Sequence, residues 1–110
     1  MNKEELIQRL GDIEWEDFEV KEAHTEIPKN SWETVSAFSN TSGGWLVFGV
    51  KKLGKKYEVV GVKNPEKIEQ DFLTTLRDNG KFNKKIDAVP KKYNLEEKTV
   101  LAFYIPQKSA

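Results

Sequence analysis

The sequence of 110 residues contains no cysteine and a single histidine. Without cysteine, disulfides, thiolate zinc sites and cysteine nucleophiles are all excluded. No apolar run approaches the roughly 20 residues needed to cross a bilayer, and the first residues, Met-Asn-Lys-Glu-Glu, lack the apolar segment of a signal peptide. We therefore expect a soluble, cytoplasmic protein with no membrane association.

Two further absences limit the enzyme classes. The sequence has no Gly-x-x-x-x-Gly-Lys-Ser/Thr motif, so ATP hydrolysis of the P-loop type has no support. The lone His24 lies between acidic residues and is more typical of a surface position than of a general base. A chain of this length fits one domain, residues 1–110, and leaves no room for a separate substrate domain.

The sequence has no excess of either charge: its 18 basic and 18 acidic residues give a formal net charge of zero. The distribution is uneven: residues 1–40 carry ten acids and four bases, whereas residues 41–110 carry eight acids and fourteen bases. A neutral total argues against indiscriminate binding to nucleic acid, although the basic half can still offer a basic face to a polyanion. Alternatively, the two halves pair with each other in the fold.

Hydrophobic periodicity predicts three helices, over residues 3–10, from about 30 to 40, and from about 64 to 79. The second is predicted to begin with a capping box between Asn30 and Glu33. The third follows Asn64-Pro65 and is the clearest, because its apolar residues recur every four positions: Ile68, Phe72 and Leu76.

Five runs are predicted to be strands: residues 14–21, 45–50, 57–62, 86–93 and 98–105. The run 45–50 is apolar almost throughout, which is typical of a strand buried on both faces, and we predict that it pairs with 57–62 as a hairpin. The last two strands are joined by a turn at residues 94–97. This order predicts an α+β domain with a mixed, mostly antiparallel sheet of about five strands and three packed helices.

The turn Ser42-Gly43-Gly44 lies where the second helix gives way to the apolar strand. Glycines let a ligand approach main-chain N–H groups, and phosphate would suit such a site. The structural alternative is a helix C-cap with tight packing, and a helix C-terminus has the wrong dipole sign for an anion.

Two charged runs are candidates for chemistry. The predicted loop Lys51–Lys56 holds four lysines, Lys51, Lys52, Lys55 and Lys56, which can bind backbone phosphates or simply form a solvated turn. Upstream, Glu14 and Glu19 lie among other acids and can supply oxygen ligands to Mg²⁺ or Mn²⁺, although acidic runs are usually solvated faces. We predict no resident metal or cofactor unless that second site is a nuclease centre.

Five segments together resemble the Schlafen Alba-like domain, also called the divergent AAA domain. They are Glu19-Val-Lys21, Pro28, the block 33–50 (Glu-Thr-Val-Ser-Ala-Phe-Ser-Asn-Thr-Ser-Gly-Gly-Trp-Leu-Val-Phe-Gly-Val), Val60-Gly-Val-Lys-Asn64 and residues 100–106. The resemblance covers nearly the whole chain. It implies an α+β module that is thought to bind DNA and is found at the N-terminus of prokaryotic proteins classed as transcriptional regulators or helicase-like proteins. A longer protein with a further C-terminal domain is therefore expected.

The resemblance also implies a candidate nuclease centre. Related eukaryotic Schlafen proteins cleave RNA with a Glu-x-x-x-x-Glu pair and a later acid, and Glu14, Glu19 and the following Lys21 match the first part of that pattern. Lys51 and Lys52 stand where the family often has an acid. This replacement disfavours a metal site and favours phosphate binding.

We therefore predict a DNA- or RNA-binding module that contacts its ligand through Lys21, the four lysines of residues 51–56, and Asn40, Gly43 and Gly44 at the helix-to-strand junction. One alternative is a Mg²⁺- or Mn²⁺-dependent ribonuclease with Glu14 and Glu19 as catalytic residues. The other is a scaffold or homo-oligomerisation domain.

Overall fold

The computed structural model describes residues 1–11, 16–78, 82 and 85–107. These residues form three helices and six strands, in the order α1 (Lys3–Leu10), β1 (Phe18–Lys21), α2 (Ser31–Ser39), β2 (Gly44–Phe48), β3 (Val50–Leu53), β4 (Lys56–Val59), α3 (Pro65–Arg77), β5 (Val89–Leu95) and β6 (Lys98–Ile105). No helix within the described ranges has the length and apolar character that crossing a membrane would need.

Four of the strands form one mixed sheet in the order β1-β2-β6-β5. β1 runs parallel to β2, whereas β2 with β6 and β5 with β6 are antiparallel pairs. The remaining strands, β3 and β4, form a separate antiparallel pair. The predicted α+β class with a mostly antiparallel sheet and three helices is confirmed, while the described strands number six rather than about five.

The two central strands, β2 and β6, are covered on both faces, as the apolar run 45–50 predicted. On one face, their side chains pack under α2 and α3 in the α2/α3 core, which includes Leu46, Phe48, Leu101 and Phe103 from the sheet and Val35, Phe38, Ile68, Phe72 and Leu76 from the helices. At its centre the rings of Phe72 and Phe103 lie 4.3 Å apart. On the other face, the α1 core consists of Leu6, Phe18, Val47, Val50, Leu95, Val100 and Ala102.

The helices begin and end close to the predicted positions, but the N-cap of α2 differs from the prediction. Pro65 is the first residue of α3, as expected. At α2, Asn30 occupies the N-cap position and its side chain makes no capping hydrogen bond, so the predicted capping box is wrong. Asn30 has φ −76° and ψ −1°, whereas a capping side chain needs an extended backbone to reach the first-turn amides.

The predicted hairpin between 45–50 and 57–62 is wrong in its first strand, because the apolar run pairs with β6 and stops at Gly49. Gly49 has φ 105°, a conformation that a strand residue with a side chain rarely adopts, and there the chain leaves the sheet. The hairpin that forms instead pairs β3 with β4, and we call it the ribbon. Most of the expected loop Lys51–Lys56 is therefore strand, with a turn of only Gly54 and Lys55.

The other predicted strands are shifted by a few residues. β5 begins at Val89 rather than residue 86, and its turn to β6 narrows to Glu96 and Glu97. The described part of the first predicted strand, 14–21, starts as a strand at Phe18. β5 is an edge strand that contains Pro90, which suits an edge because proline has no N–H to donate.

Candidate nucleic-acid interface

The ribbon is joined to the rest of the domain at its base through two glycines in left-handed conformations. Gly61 has φ 82°, and its N–H donates to the carbonyl of Gly49 at 2.9 Å. The Val60 N–H donates to the same oxygen, also at 2.9 Å, and the Lys98 ammonium donates to the Val59 carbonyl at 3.2 Å. These bonds fix the base of the ribbon, while the four-residue strands extend from it.

The two faces of the ribbon differ in character. Val50 and Val59 are cross-strand partners that pack into or against the α1 core, as Tyr57 does, so Lys52 opposite Tyr57 lies on this inner face. Side chains alternate along each strand, so Lys51, Leu53, Lys56 and Glu58 share the outer face. The four lysines therefore do not form one flat basic surface; they surround the ribbon.

All four ribbon lysines are exposed. Glu58 is the cross-strand partner of Lys51 and is the one acid on the ribbon, which leaves a formal charge of +3. In the described part of the chain none of these lysines forms an ion pair, whereas Lys67 lies 3.3 Å from Asp71 and Lys92 lies 3.2 Å from Glu66. The ribbon is thus a concentrated positive charge that no neighbouring carboxylate neutralises by direct contact.

The ion pair between Lys92 and Glu66 is an example of such neutralisation elsewhere in the protein. A hydrogen bond from its own backbone amide, followed by the hydrogen bond and charge of Lys92, lowers the pKa of Glu66. Both side chains lie on the surface. A lysine in such an ion pair is less available to bind a phosphate than a lysine surrounded by water.

Lys21 lies beside the base of the ribbon. Its carbonyl accepts from the Gly49 N–H at 3.0 Å, which places the end of β1 next to the residue that precedes β3. Phe18 and Val20 face the α1 core, so Glu19 and Lys21 share the opposite face of the strand. Lys21 is half-buried and Glu19 is exposed.

The structure gives no distance between the predicted catalytic residues Glu14 and Glu19, because Glu14 lies outside the described residues. Among the residues that are described, no group of three or more histidine, aspartate or glutamate side chains is arranged to hold a metal ion. The ribonuclease alternative stays a prediction.

The helix-to-strand junction lies at the other end of β2 from the ribbon. The Gly43 N–H donates to the Phe38 carbonyl at 2.9 Å, and Asn40, which is exposed, donates its N–H to Ser36. A Cβ on Gly43 would lie 2.8 Å from the Ile105 carbonyl oxygen, and one on Gly44 would lie 2.7 Å from the Phe38 ring. These contacts explain the two glycines by packing. The junction lies away from the ribbon, and the nucleic-acid contact predicted for it stays a prediction.

Sequence reasoning overlooked Leu53. It grouped residues 51–56 as a lysine loop, but Leu53 ends the first ribbon strand with 46% of its surface exposed. The sequence did contain an indication of this position, since Leu-Gly-Lys-Lys can form a two-residue hairpin turn with glycine in its first position. Gly54 has φ 62°, as that turn requires.

The fold is shared with two solved structures. The N-terminal domain of a RecG-related protein from Nitrosomonas europaea superposes with a TM-score of 0.75 at 23% identity, covering 96% of this chain and 72% of that one. The DIP2311 protein from Corynebacterium diphtheriae superposes with a TM-score of 0.51 at 18% identity, covering 84% of this chain and 21% of that one. At these identities the likeness concerns the fold alone.

A search of curated proteins finds no match. The family model described as Schlafen, AlbA_2 matches residues 14–110, which include β1, the helix-to-strand junction, the ribbon and β6. This match confirms the resemblance seen in the sequence, and the chain belongs to the Schlafen, AlbA_2 family.

Proposed function

We propose that this protein is the DNA-binding module of a transcriptional regulator and that the ribbon is its principal contact with the nucleic acid. The observation that carries the proposal is the set of four exposed lysines on one short ribbon of a protein of zero net charge. The family supports a role with nucleic acid, and the name of the Nitrosomonas europaea neighbour relates that protein to a DNA helicase.

The ribbon lysines bind backbone phosphates and release the counterions that surround them. Each neutralised phosphate of duplex DNA contributes about −0.9 to the slope of log affinity against log salt concentration. Lys21 at the base of the ribbon adds a further phosphate contact. Such contacts position the protein on the duplex without reading its sequence.

The test replaces Lys51, Lys52, Lys55 and Lys56 together by alanine and titrates a DNA duplex at several salt concentrations. We expect weaker binding and a salt slope that is smaller in magnitude by about 3 to 4. The matched control replaces four exposed lysines elsewhere in the chain, Lys29, Lys63, Lys85 and Lys91, and changes the net charge equally. Equal losses in both variants, or unchanged binding by the ribbon variant, would contradict the proposal.

A transcriptional regulator must also prefer some sequences over others. Selection of bound duplexes from a random-sequence pool measures that preference directly, and a pool that emerges without enrichment would contradict the regulatory part of the proposal. The further C-terminal domain expected from the resemblance stays a prediction. The alternative of a homo-oligomerisation domain also stays a prediction, and light scattering on this chain tests it.

A further inference from the structure

The ribbon has the dimensions of a major-groove reader. Four residues per strand at about 3.4 Å each extend about 14 Å, and the two strands lie about 4.8 Å apart. The major groove of B-form DNA is about 12 Å wide and 8.5 Å deep and admits a two-stranded ribbon, whereas the minor groove is about half as wide. A-form RNA has a deep, narrow major groove that side chains do not read.

The tip of the ribbon combines an apolar side chain with cations. Leu53 is 46% exposed and is paired across the turn with Lys56. No atom lies within 4 Å of where a Cβ on Gly54 would be, so the described neighbours leave the tip open. Lys51, Lys56 and Glu58 share the outer face with Leu53, whereas Lys52 lies on the inner face that packs against the α1 core. Two cations and one acid therefore accompany Leu53 on the face that points away from the domain.

Building on the proposed function, we propose that the ribbon presents its outer face and tip to the major groove of B-form DNA and that Leu53 packs against the C5-methyl groups of thymines. The thymine methyl is the apolar group that base pairs present in the major groove, and apolar side chains recognise it. Lys51 and Lys56 on the outer face bind the flanking phosphates and hold the tip at the base edges. The protein therefore favours duplex DNA that contains thymine at the contacted steps.

The test compares two DNA duplexes of one adenine- and thymine-containing sequence, in which the second carries uracil in place of every thymine. The two duplexes have the same charge and differ by the C5-methyl groups alone. We expect the unaltered protein to bind the thymine duplex about fourfold more tightly for each methyl buried. Leu53→Ala should bind both duplexes equally and keep the full salt slope, because leucine carries no charge.

The matched control is Ile7→Ala, which removes an equally exposed apolar side chain from α1 and should leave the thymine preference intact. Equal affinity of the unaltered protein for both duplexes, or an RNA duplex bound as tightly as the thymine duplex, would overturn this inference. Either result is compatible with the proposed function as long as the four ribbon lysines still set the salt slope. Failure of the lysine test instead removes the proposed function itself.

Discussion

At the scale of single residues, the turn between β5 and β6 departs from what its geometry favours. Glu96 and Glu97 have φ values of 52° and 64°, the left-handed pair that a two-residue hairpin turn of type I′ requires. Asparagine followed by glycine suits these positions, whereas a side chain such as glutamate pays about 1 to 2 kcal/mol at each for crowding between Cβ and the next carbonyl. The native turn is therefore strained.

Replacing this turn should stabilise the protein. We expect Glu96→Asn/Glu97→Gly to raise the free energy of unfolding by about 1 to 2 kcal/mol, measured by chemical denaturation. The control Glu96→Gln/Glu97→Gln removes the same two charges and keeps the side-chain crowding, so it should give little gain. A gain of equal size in the control would show that charge repulsion, rather than backbone conformation, limits this turn.

Other single-residue features were partly predictable from the sequence. The run Ser42-Gly43-Gly44 predicted where α2 ends, and it does end just before these residues. The reason both glycines are needed was not predictable, because the atoms that a Cβ would meet include the Ile105 carbonyl, which is more than 60 residues away along the chain. Local patterns do not show such distant neighbours.

At the scale of elements, two helices carry similar sequence patterns at their starts and differ in structure. Before α1, Asn2 has an extended backbone, and its Oδ1 accepts from the Glu5 N–H at 2.8 Å while the Glu5 carboxylate accepts from the Asn2 N–H. Before α2, the same spacing of Asn30 and Glu33 makes no cap. The chain from Pro28 dictates this difference, since the Ser31 N–H donates to the Pro28 carbonyl and forms a turn there.

The two asparagines should therefore respond differently to substitution. We expect Asn2→Ala to lower the free energy of unfolding by about 1 kcal/mol, because it leaves a first-turn amide of α1 without its acceptor. Asn30→Ala, the matched control, should cost little, since no capping bond is lost. Denaturant titration of both variants measures the difference, and equal costs would show that the intrinsic preference of the N-cap position, rather than the bond, matters.

The elements that sequence patterns predicted best are those with long, regular apolar spacing. Ile68, Phe72 and Leu76 are all buried along α3, as their spacing predicted. The ribbon was misassigned because an apolar run does not reveal which strand it pairs with, and Gly49 ends the run by a conformation that depends on bonds to Lys21, Val60 and Gly61. Consequently the lysines were predicted as candidates from sequence, but their distribution over two faces was not.

At the scale of the whole molecule, one sheet separates two cores, and β2 and β6 contribute to both. Leu46 and Phe48 face the α2/α3 core, while Val47 between them faces the α1 core. Loss of packing on one face removes support from strands that the other face also needs. The two cores should therefore unfold together rather than one after the other.

Leu6→Ala tests this coupling, because Leu6 is the fully buried residue that α1 contributes. We expect the free energy of unfolding to fall by about 2 to 5 kcal/mol, with far-ultraviolet circular dichroism and tryptophan fluorescence giving the same midpoint. The neighbouring Ile7→Ala, at a position 51% exposed, should cost much less. Two separate midpoints in Leu6→Ala would show that the α1 core unfolds independently.

The charge of the whole molecule is also organised by segment. The ion pairs Arg9–Asp17, Lys67–Asp71, Arg77–Asp87 and Lys92–Glu66 each join two residues from the same side of residue 40. These pairs do not neutralise the acidic first part of the chain with the basic second part. The formal charge of zero thus describes the sum and conceals separate acidic and basic segments.

The edge strand β5 has a consequence for how copies of this protein behave at high concentration. Counted back from Leu95 at the turn, every second residue of β5 hydrogen-bonds to β6 through its main chain. The main-chain polar groups of the residues between them, Pro90, Lys92 and Asn94, therefore point away from the sheet. An added strand from another molecule could accept an N–H from Lys92 and from Asn94, but Pro90 has no N–H to donate and lies next to the charged Lys91. Edge-to-edge stacking into fibrils is disfavoured by this arrangement, so the protein should tolerate concentration without aggregating along that strand.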